Sequence, residues 1–191
     1  KSIMTRLPHI NDTLARLRVH CAELFGPIAE PDPGFLRDFT PLEDPRPPFE
    51  VRMLDLAEYV SNWATCPRLS VGAVIISPEG YVVSTGYNGS PRGLPHCWDV
   101  GCLFDSSGRC KRAAHAEMNA INQAADRGVS IAGCSMYVTH QPCPECLVRL
   151  LNTRLDAVLY RHAYDHPTDI ASRLDAMVRQ SPVRICHWRG A

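Results

Sequence analysis

The sequence lacks an excess of charge, because its 20 lysines and arginines are balanced by 20 aspartates and glutamates. A strongly basic protein attracts nucleic acid through its positive field, so the absence of that field disfavours a polymeric DNA or RNA substrate. The sequence also lacks an apolar run of the roughly 20 residues that span a membrane, and its start lacks the apolar core of a secretory signal. We therefore expect a cytoplasmic protein without a membrane span.

Cysteine is abundant, with nine residues in a chain of 191. Disulfides are rare in the reducing cytoplasm, so cysteines that cluster in the sequence point to metal binding. The apolar fraction of 45% and the charged fraction of 21% are those of an ordinary globular protein. The length suits one α/β domain with an appendage.

The first 50 residues differ from the rest of the chain. Apolar residues at helical spacing predict an amphipathic helix over 11–25, and seven prolines within 27–48 exclude both a continuous helix and a sheet ladder there. We interpret residues 1–50 as an N-terminal helix plus a proline-rich arm. Residues 51–191 then form the main domain.

From residue 51 onward, helix and strand patterns alternate. Helices between short apolar runs predict a sheet covered on both faces, and the turn sequence at 77–80 predicts an antiparallel hairpin before a parallel second half. The fold class is therefore α/β with a mixed five-stranded sheet. The long loop over 86–110 is of a length that is usually functional. The predicted helices are 51–65, 115–127, 143–152 and 168–179, and the predicted strands are 71–76, 81–86, 134–139, 155–160 and 183–188.

Two short motifs carry the chemistry: His-Ala-Glu at 115–117 and Pro-Cys-Pro-Glu-Cys at 142–146. Each opens a predicted helix. Two cysteines in the first turn of a helix bring both sulfurs to one side, where the helix dipole favours thiolates. Cys143 and Cys146 are thus candidate zinc ligands, His115 is a third, and a fourth position left for water is typical of a catalytic zinc site.

Glu117 can lie beside the water on such a metal without binding the metal. Zinc lowers the pKa of that water to about 7, so a nearby carboxylate can accept its proton and pass it on. A redox Cys-x-x-Cys pair or a structural zinc module is the alternative for the cysteines alone. His-x-Glu followed by Pro-Cys-x-x-Cys is the known signature of zinc nucleobase deaminases, which favours catalysis.

Further blocks make the sequence resemble the deoxycytidylate deaminase family of the cytidine deaminase superfamily. They are Val-Gly-Ala-Val-Ile-Ile at 71–76, Gly-Tyr-Asn-Gly-Ser-Pro-Arg-Gly at 86–93, and the segments 115–121 and 137–146 around the two motifs. The resemblance covers about residues 52–165. It implies a three-layer α-β-α cytidine-deaminase-like fold and the hydrolysis of dCMP, or a 5-substituted dCMP, by zinc-activated water to dUMP and ammonia, which feeds thymidylate synthesis.

The resemblance also implies contacts to the substrate. The Ala116 N–H is a candidate donor to the pyrimidine O2, and Asn88 is a candidate ligand of the sugar, with a turn asparagine as the alternative. Tyr160 is a candidate wall of the pocket, with simple packing as the alternative.

Regulation and assembly are further implications of the resemblance. Gly89 and Arg92 are candidate contacts to phosphate or to the effectors dCTP, an activator, and dTTP, an inhibitor, bound with Mg²⁺. An exposed solvated arginine is the alternative for Arg92. We also expect a homo-oligomer, a hexamer or smaller.

A second, structural zinc is implied by cysteines around the long loop. Cys66, Cys97, Cys102 and Cys110 are its candidate ligands, and His96 can replace one sulfur. A loop of this length needs a device that orders it, and a zinc–thiolate cluster is such a device. Scattered buried thiols are the alternative, and they are the default for Cys21, Cys134 and Cys186.

Three other functions compete with this interpretation. A tRNA or single-stranded DNA deaminase needs a basic, aromatic-lined groove, which the charge balance disfavours. A riboflavin-pathway or guanine deaminase is expected to lack the block at 86–93. A non-catalytic zinc-binding interaction protein has no need of Glu117.

Overall fold

The computed structural model describes residues 44–106, 108–164 and 168–189. The predicted helix over 11–25 and most of the proline-rich arm lie outside the described residues. The division of the chain near residue 50 therefore stays a prediction. Within the described part of the chain, no helix is long and apolar enough to cross a membrane.

Five strands form one mixed sheet in the order β2-β1-β3-β4-β5. They are β1 (Gly72–Ile76), β2 (Val82–Tyr87), β3 (Ser135–His140), β4 (Ala157–His162) and β5 (Arg184–His187). Strand β1 pairs antiparallel with both β2 and β3, while β4 pairs parallel with β3 and with β5. The predicted mixed sheet, with its first hairpin and its parallel second half, is confirmed.

Helices cover both faces of the sheet. They are α1 (Phe49–Ser61), α2 (Cys97–Val100), α3 (Ala116–Asp126), α4 (Pro144–Leu151) and α5 (Thr168–Gln180). Successive β1 residues point to opposite faces, so Val74 and Ile76 pack with α1 while Ala73 and Ile75 pack with α3 and α4. This two-sided burial explains the uninterrupted apolar run in β1 and confirms the three-layer α-β-α fold.

The end of α1 and the presence of α2 differ most from the sequence prediction. Helix α1 ends at Ser61 rather than at residue 65, because the next residues form tight turns and the Thr65 N–H donates to the Asn88 oxygen at 3.1 Å. This tertiary hydrogen bond competes with continuation of the helix. The four-residue helix α2, inside the long loop, was not predicted, since so short an element leaves no periodic pattern.

Gly86 allows α3 to lie directly on β2. A Cβ atom at Gly86 would lie 2.2 Å from the Ala116 oxygen and 2.3 Å from the Ala120 nitrogen, both in the main chain of α3. Main-chain atoms cannot move aside as the end of a flexible side chain can. The position of the first turn of α3 therefore depends on the absence of a side chain in β2.

We expect Gly86→Ala to lower the free energy of unfolding by about 3 kcal/mol, the upper part of the usual range for overpacking. Gly128→Ala is the matched control: Gly128 has a φ of +65° and nothing within 4 Å of an added Cβ, so only the left-handed backbone cost of about 1 kcal/mol applies. Urea unfolding measures both values. Equal losses in the two variants would contradict the close approach of β2 and α3.

Candidate active site

The candidate site lies at one edge of the sheet. Strands β2 and β3 are both antiparallel to β1 and therefore run in the same direction, so their carboxyl ends share an edge with those of β4 and β5. Helix α4 begins four residues after the end of β3, and Ala114, just before α3, pairs with Gly89, just after β2. This edge of the sheet therefore brings the first turns of α3 and α4 together.

Three metal-binding side chains meet at these helix starts. The His115 Nδ1 lies 3.2 Å from the Cys146 Sγ and 3.4 Å from the Cys143 Sγ, and the three ligand atoms all lie within 4.8 Å of one another. His115 and Cys143 are the residues that immediately precede α3 and α4, and Cys146 lies in the first turn of α4.

The triangle fits a tetrahedral zinc ion. With Zn–S bonds of about 2.3 Å and Zn–N bonds of about 2.0 Å, adjacent ligand atoms of a tetrahedron lie about 3.5 Å apart. The observed distances from the histidine nitrogen to the two sulfurs are close to that value. One imidazole and two sulfurs are also a donor set that zinc favours.

The electrostatics of the helix start favour a thiolate. A hydrogen bond from Cys146 lowers the pKa of Cys143 to about 3, and the His115 ring acts in the same direction. The Cys146 N–H also points at the Cys143 Sγ, at 3.5 Å. The hydrogen bond between the sulfurs raises the pKa of Cys146, and the one with Cys143 raises the pKa of His115. Hydrogen bonding at the helix start thus favours a thiolate at Cys143.

Glu117 lies in the first turn of α3 and is only 4% exposed. Burial raises the pKa of Glu117 to about 7, and the charges of Cys143 and His115 act on it in opposite directions. A carboxyl group with such a pKa exchanges its proton readily near neutral pH. The side chain next to the ligand triangle is thus able both to take up and to release a proton.

Ala116 and Gly89 lie beside the ligand triangle. Ala116 is fully buried and is the first residue of α3, so its N–H has no acceptor within the helix. Gly89 exchanges two main-chain hydrogen bonds with Ala114, at 3.1 and 2.8 Å. The candidate substrate donor and the glycine-rich loop are therefore brought to the same place as His115.

The Asn88 side chain is engaged with the main chain. Its Nδ2 donates to the Leu69 oxygen at 2.7 Å, and its Oδ1 accepts from the Val71 N–H at 2.8 Å. The side chain is buried and fastens the entry into β1. This structural role differs from the turn asparagine that was the alternative, and a second N–H on Nδ2 remains for another acceptor.

Two tyrosines near the end of β4 occupy different surroundings. The Tyr160 ring stacks on His187 with centroids 4.9 Å apart, and its charged neighbours are Arg189 and Asp175. Those contacts suit a packing role for Tyr160, which was the alternative to a place in the pocket wall. Tyr164, which sequence reasoning missed, has Glu117, Cys143 and Cys146 as its charged neighbours. No periodic or motif signal marks it, because it follows the strand by two residues.

A second group of sulfurs forms in the long loop. Cys97, Cys102 and Cys110 lie mutually within 4.8 Å, whereas Cys66 and His96 fall outside this group of described ligand atoms. Burial raises the pKa of Cys102 to about 11. Burial also opposes ionisation of Cys110, but main-chain N–H groups, led by that of Arg112, lower its pKa to about 7. Cys66 is still near enough to help raise the pKa of Cys97.

Arg92 lies in the exposed turn that follows the Gly89 bridge. The Leu94 N–H donates to the Pro91 oxygen at 3.1 Å across this turn. Arg92 is therefore exposed to solvent, as in the alternative that the sequence analysis gave for this residue.

Comparisons with known proteins agree with this geometry. The family model described as the cytidine and deoxycytidylate deaminase zinc-binding region matches residues 49–162. ComE operon protein 2 of Bacillus subtilis is 45% identical over 105 residues, which cover 54% of each chain. The deoxycytidylate deaminase of Enterobacteria phage T4 is 33% identical over 150 residues, which cover 59% of this chain and 77% of the relative. The chain thus spans about half the length of the first relative.

A solved structure is similar over a larger share of the chain. The dCMP deaminase of cyanophage S-TIM5, in complex with dCMP and dUMP, has a TM-score of 0.60 and 27% identity to this chain. The match covers 76% of this chain and 100% of the phage chain.

We expect Cys143→Ser to lower the zinc content by about one ion per chain, because the hydroxyl is a much poorer zinc ligand than the thiolate. Cys186→Ser is the matched control, since Cys186 is exposed and belongs to neither group of sulfurs. Metal analysis of both purified variants measures the change. Retention of full zinc content by Cys143→Ser would contradict the assignment of the triangle.

Proposed function

This chain belongs to the family defined by the cytidine and deoxycytidylate deaminase zinc-binding region, and we propose that it is a zinc-dependent hydrolase that converts dCMP to dUMP and ammonia. The observation that carries the proposal is the placement of a buried carboxyl group, Glu117, which follows the ligand His115 by two residues and interacts with the ligand Cys146, beside three ligand atoms arranged for zinc. A redox cysteine pair or a structural zinc site has no use for such a group.

His115, Cys143 and Cys146 would hold the metal. When bound, zinc lowers the pKa of a coordinated water to about 7 and thereby supplies the nucleophile. In this proposal Glu117 would accept one proton from the water that attacks C4 and deliver it to N3 of the pyrimidine. It would then carry the second proton of that water to the amine, so that the C4–N bond breaks, C4 keeps the oxygen as a carbonyl and ammonia leaves. Its pKa of about 7 suits both transfers.

Other residues of the chain orient the substrate in this proposal. The buried Ala116 N–H donates to the pyrimidine O2. The second N–H of the Asn88 amide, which its two main-chain contacts leave for another acceptor, binds a sugar hydroxyl. Tyr160 as a pocket wall stays a prediction from the sequence, and its stacking on His187 favours a packing role instead.

The choice of dCMP rests on the relatives. The phage T4 relative is named a deoxycytidylate deaminase, and the phage S-TIM5 structure contains dCMP and dUMP. A 5-methyl or 5-hydroxymethyl group adds little volume, and one methylene of pocket space is worth only about 1–3 kcal/mol. We therefore include 5-substituted dCMP in the proposed substrate class.

Regulation and assembly form the finer part of the proposal. We propose that Gly89 and Arg92 contact nucleotide phosphate, either of the substrate or of dCTP and dTTP bound with Mg²⁺, because guanidinium groups pair well with phosphate oxygens. A homo-oligomer, a hexamer or smaller, in the cytoplasm completes the proposal.

The second group of sulfurs supports a structural zinc. Cys97, Cys102 and Cys110 supply three ligands that are already close together. Cys66 acts electrostatically on Cys97, and we propose it as the fourth thiolate. Such an ion would order the loop that carries Gly89 and Arg92 and leads into His115.

Ammonia release measured over cytosine nucleosides, monophosphates and triphosphates, with and without dCTP and dTTP, tests the proposed activity. We expect dCMP or a 5-substituted dCMP to give the highest kcat/KM, and Glu117→Gln to retain zinc while losing about two to four orders of magnitude in turnover, since the proton path is removed. Absence of cytosine deamination by the zinc-loaded wild type would reject the function. Full activity of Glu117→Gln would reject the role of that residue.

For the second site, we expect Cys97→Ser to lose about one zinc ion per chain while the ion at Cys143 remains. The loop should then become more sensitive to limited proteolysis, because metal binding supplies part of its folding free energy. Cys134→Ser, in the core and outside both groups of sulfurs, is the control. Metal analysis that finds a single zinc in wild type and Cys97→Ser alike would contradict the second site.

A further inference from the structure

Strand β2 forms one edge of the sheet, because β1 is its only neighbour among the described strands. In an antiparallel pair, alternate residues of an edge strand turn their main-chain N–H and C=O groups away from the neighbour. Such groups need other hydrogen-bond partners where they are shielded from water. In β2 they include the Val83 oxygen, the Thr85 N–H and the Tyr87 oxygen, and a side chain bonds each of them.

The three side chains that bond these groups come from α3 and the residue that follows it, at intervals of four residues. They therefore lie on one face of the helix. Donors and acceptors match, because two N–H donors meet the carbonyl oxygens and one amide oxygen meets the N–H. The hydrogen bonds run from the Asn119 Nδ2 to the Tyr87 oxygen at 2.7 Å, from the Thr85 N–H to the Gln123 Oε1 at 2.9 Å, and from the Arg127 Nη1 to the Val83 oxygen at 3.2 Å.

The repeats of the helix and the strand match along this contact. Four residues advance an α-helix by about 6 Å, and two residues advance a strand by about 6.6–6.8 Å. The three side chains therefore meet successive outward groups as α3 runs back along β2. A shift of α3 by one residue would turn the three side chains by about 100° away from the strand edge. The three bonds together specify one position of the helix.

Packing of α3 on the face of β2 sets the distance between the two elements more than the position along the strand. Gly86 lets the helix approach closely, and the buried Ser84 hydroxyl donates to the Ala120 oxygen at 2.9 Å. Apolar contact has no preferred direction, and a hydroxyl can rotate to keep its bond after a small shift. Hydrogen bonds from main-chain groups weaken steeply when their angle changes.

The same side chains connect to a candidate zinc ligand. The Asn119 main-chain N–H donates to the His115 oxygen at 3.0 Å, so the residue whose side chain bonds Tyr87 also closes the turn that begins at His115. Glu117 lies in that turn. The positions of His115 and Glu117 at the edge of the sheet thus follow from the position of α3 along β2.

We propose that Asn119, Gln123 and Arg127 form a positioning row, which holds α3 at one place along β2 and thereby keeps His115 and Glu117 aligned with the other ligands. The three residues act through α3 and not by contact with the substrate. The kinetic part of the inference rests on the proposed deaminase function, whereas the zinc part rests only on the ligand triangle.

Zinc affinity and steady-state kinetics of Gln123→Met test the centre of the row. Methionine keeps the length of the side chain but leaves the Thr85 N–H without its acceptor. We expect zinc at the triangle to bind about 10-fold more weakly, the lower end of the effect of losing a group that orients a metal ligand. We also expect kcat on dCMP to fall about 10-fold while KM changes by less than about 2-fold, because misplaced catalytic groups slow turnover. Competition with a chromogenic chelator measures the affinity, on the Cys97→Ser background so that only the ion at the triangle contributes.

A conservative variant separates the hydrogen bond from the bulk of the side chain. Gln123→Glu keeps an acceptor for the Thr85 N–H, so we expect zinc affinity and kcat within about 3-fold of the wild type. If Gln123→Met does not fold, Arg127→Met at the exposed end of the row replaces it, with expected losses of about 3-fold in both quantities. Losses below about 2-fold in the variant that is measured, or equal losses in Gln123→Glu and Gln123→Met, would overturn the proposal.

Ile76→Val is the matched control for a general loss of stability. Ile76 is 2% exposed and packs with α1 on the opposite face of the sheet, so this change lowers the midpoint of thermal unfolding without touching the row. Well below that midpoint, we expect its zinc affinity and kcat within about 2-fold of the wild type, since the two sites are independent. Losses as large as those of Gln123→Met would make the row merely structural and overturn the proposal.

Failure of this inference and failure of the proposed function are distinguishable. A wild type that is active on dCMP and a Gln123→Met variant with unchanged kcat and zinc affinity reject the row alone. An inactive, zinc-loaded wild type rejects the function, and the zinc affinities of the same variants then decide on the row.

Discussion

The meeting of the first turns of α3 and α4 is the constraint on which the rest of the structure depends. His115 comes just before one helix and Cys143 just before the other, so the ligand triangle exists only while both helices begin at the same edge of the sheet. Parallel strands place consecutive helix starts at that edge. The bare Gly86 lets α3 approach β2 closely enough to complete it. The dipoles of both helix starts then favour the negative charge that metal binding requires.

Two neighbouring acids at this edge are both buried, yet their pKa values shift in opposite directions, and the difference suits each to its role. Burial removes Glu117 from water and raises its pKa to about 7, because its main-chain hydrogen bond and the His115 charge only partly offset that burial. Cys143 is also partly buried, but hydrogen bonds from Cys146 and the His115 ring outweigh that burial and lower its pKa to about 3. The difference in hydrogen bonding thus makes Glu117 a proton carrier and Cys143 a metal ligand, although both lie at the same edge of the sheet.

The long loop before α3 has ion pairs with α4 and contains a group of three sulfurs. Its ion pairs with α4, from Lys111 and Arg109 to Glu145, join side chains that are about half exposed, and such pairs contribute about 0–1 kcal/mol each. The structural zinc that we propose at Cys97, Cys102 and Cys110 would hold the loop more strongly, since metal binding contributes directly to folding free energy. The loop then ends next to His115, which connects the two groups of ligands through the chain.

The sequence alone was sufficient for the α/β class, the mixed sheet, the family resemblance and the nomination of His115, Cys143, Cys146 and Glu117, because periodicity and motif spacing are local properties. Only the tertiary structure decided which polar groups are already occupied and which side chains face the site. Asn88 turned out to fasten β1, Cys66 to lie outside its expected group, and Tyr164 rather than Tyr160 to lie beside Glu117. These outcomes depend on contacts between residues distant in the chain, which no local pattern encodes.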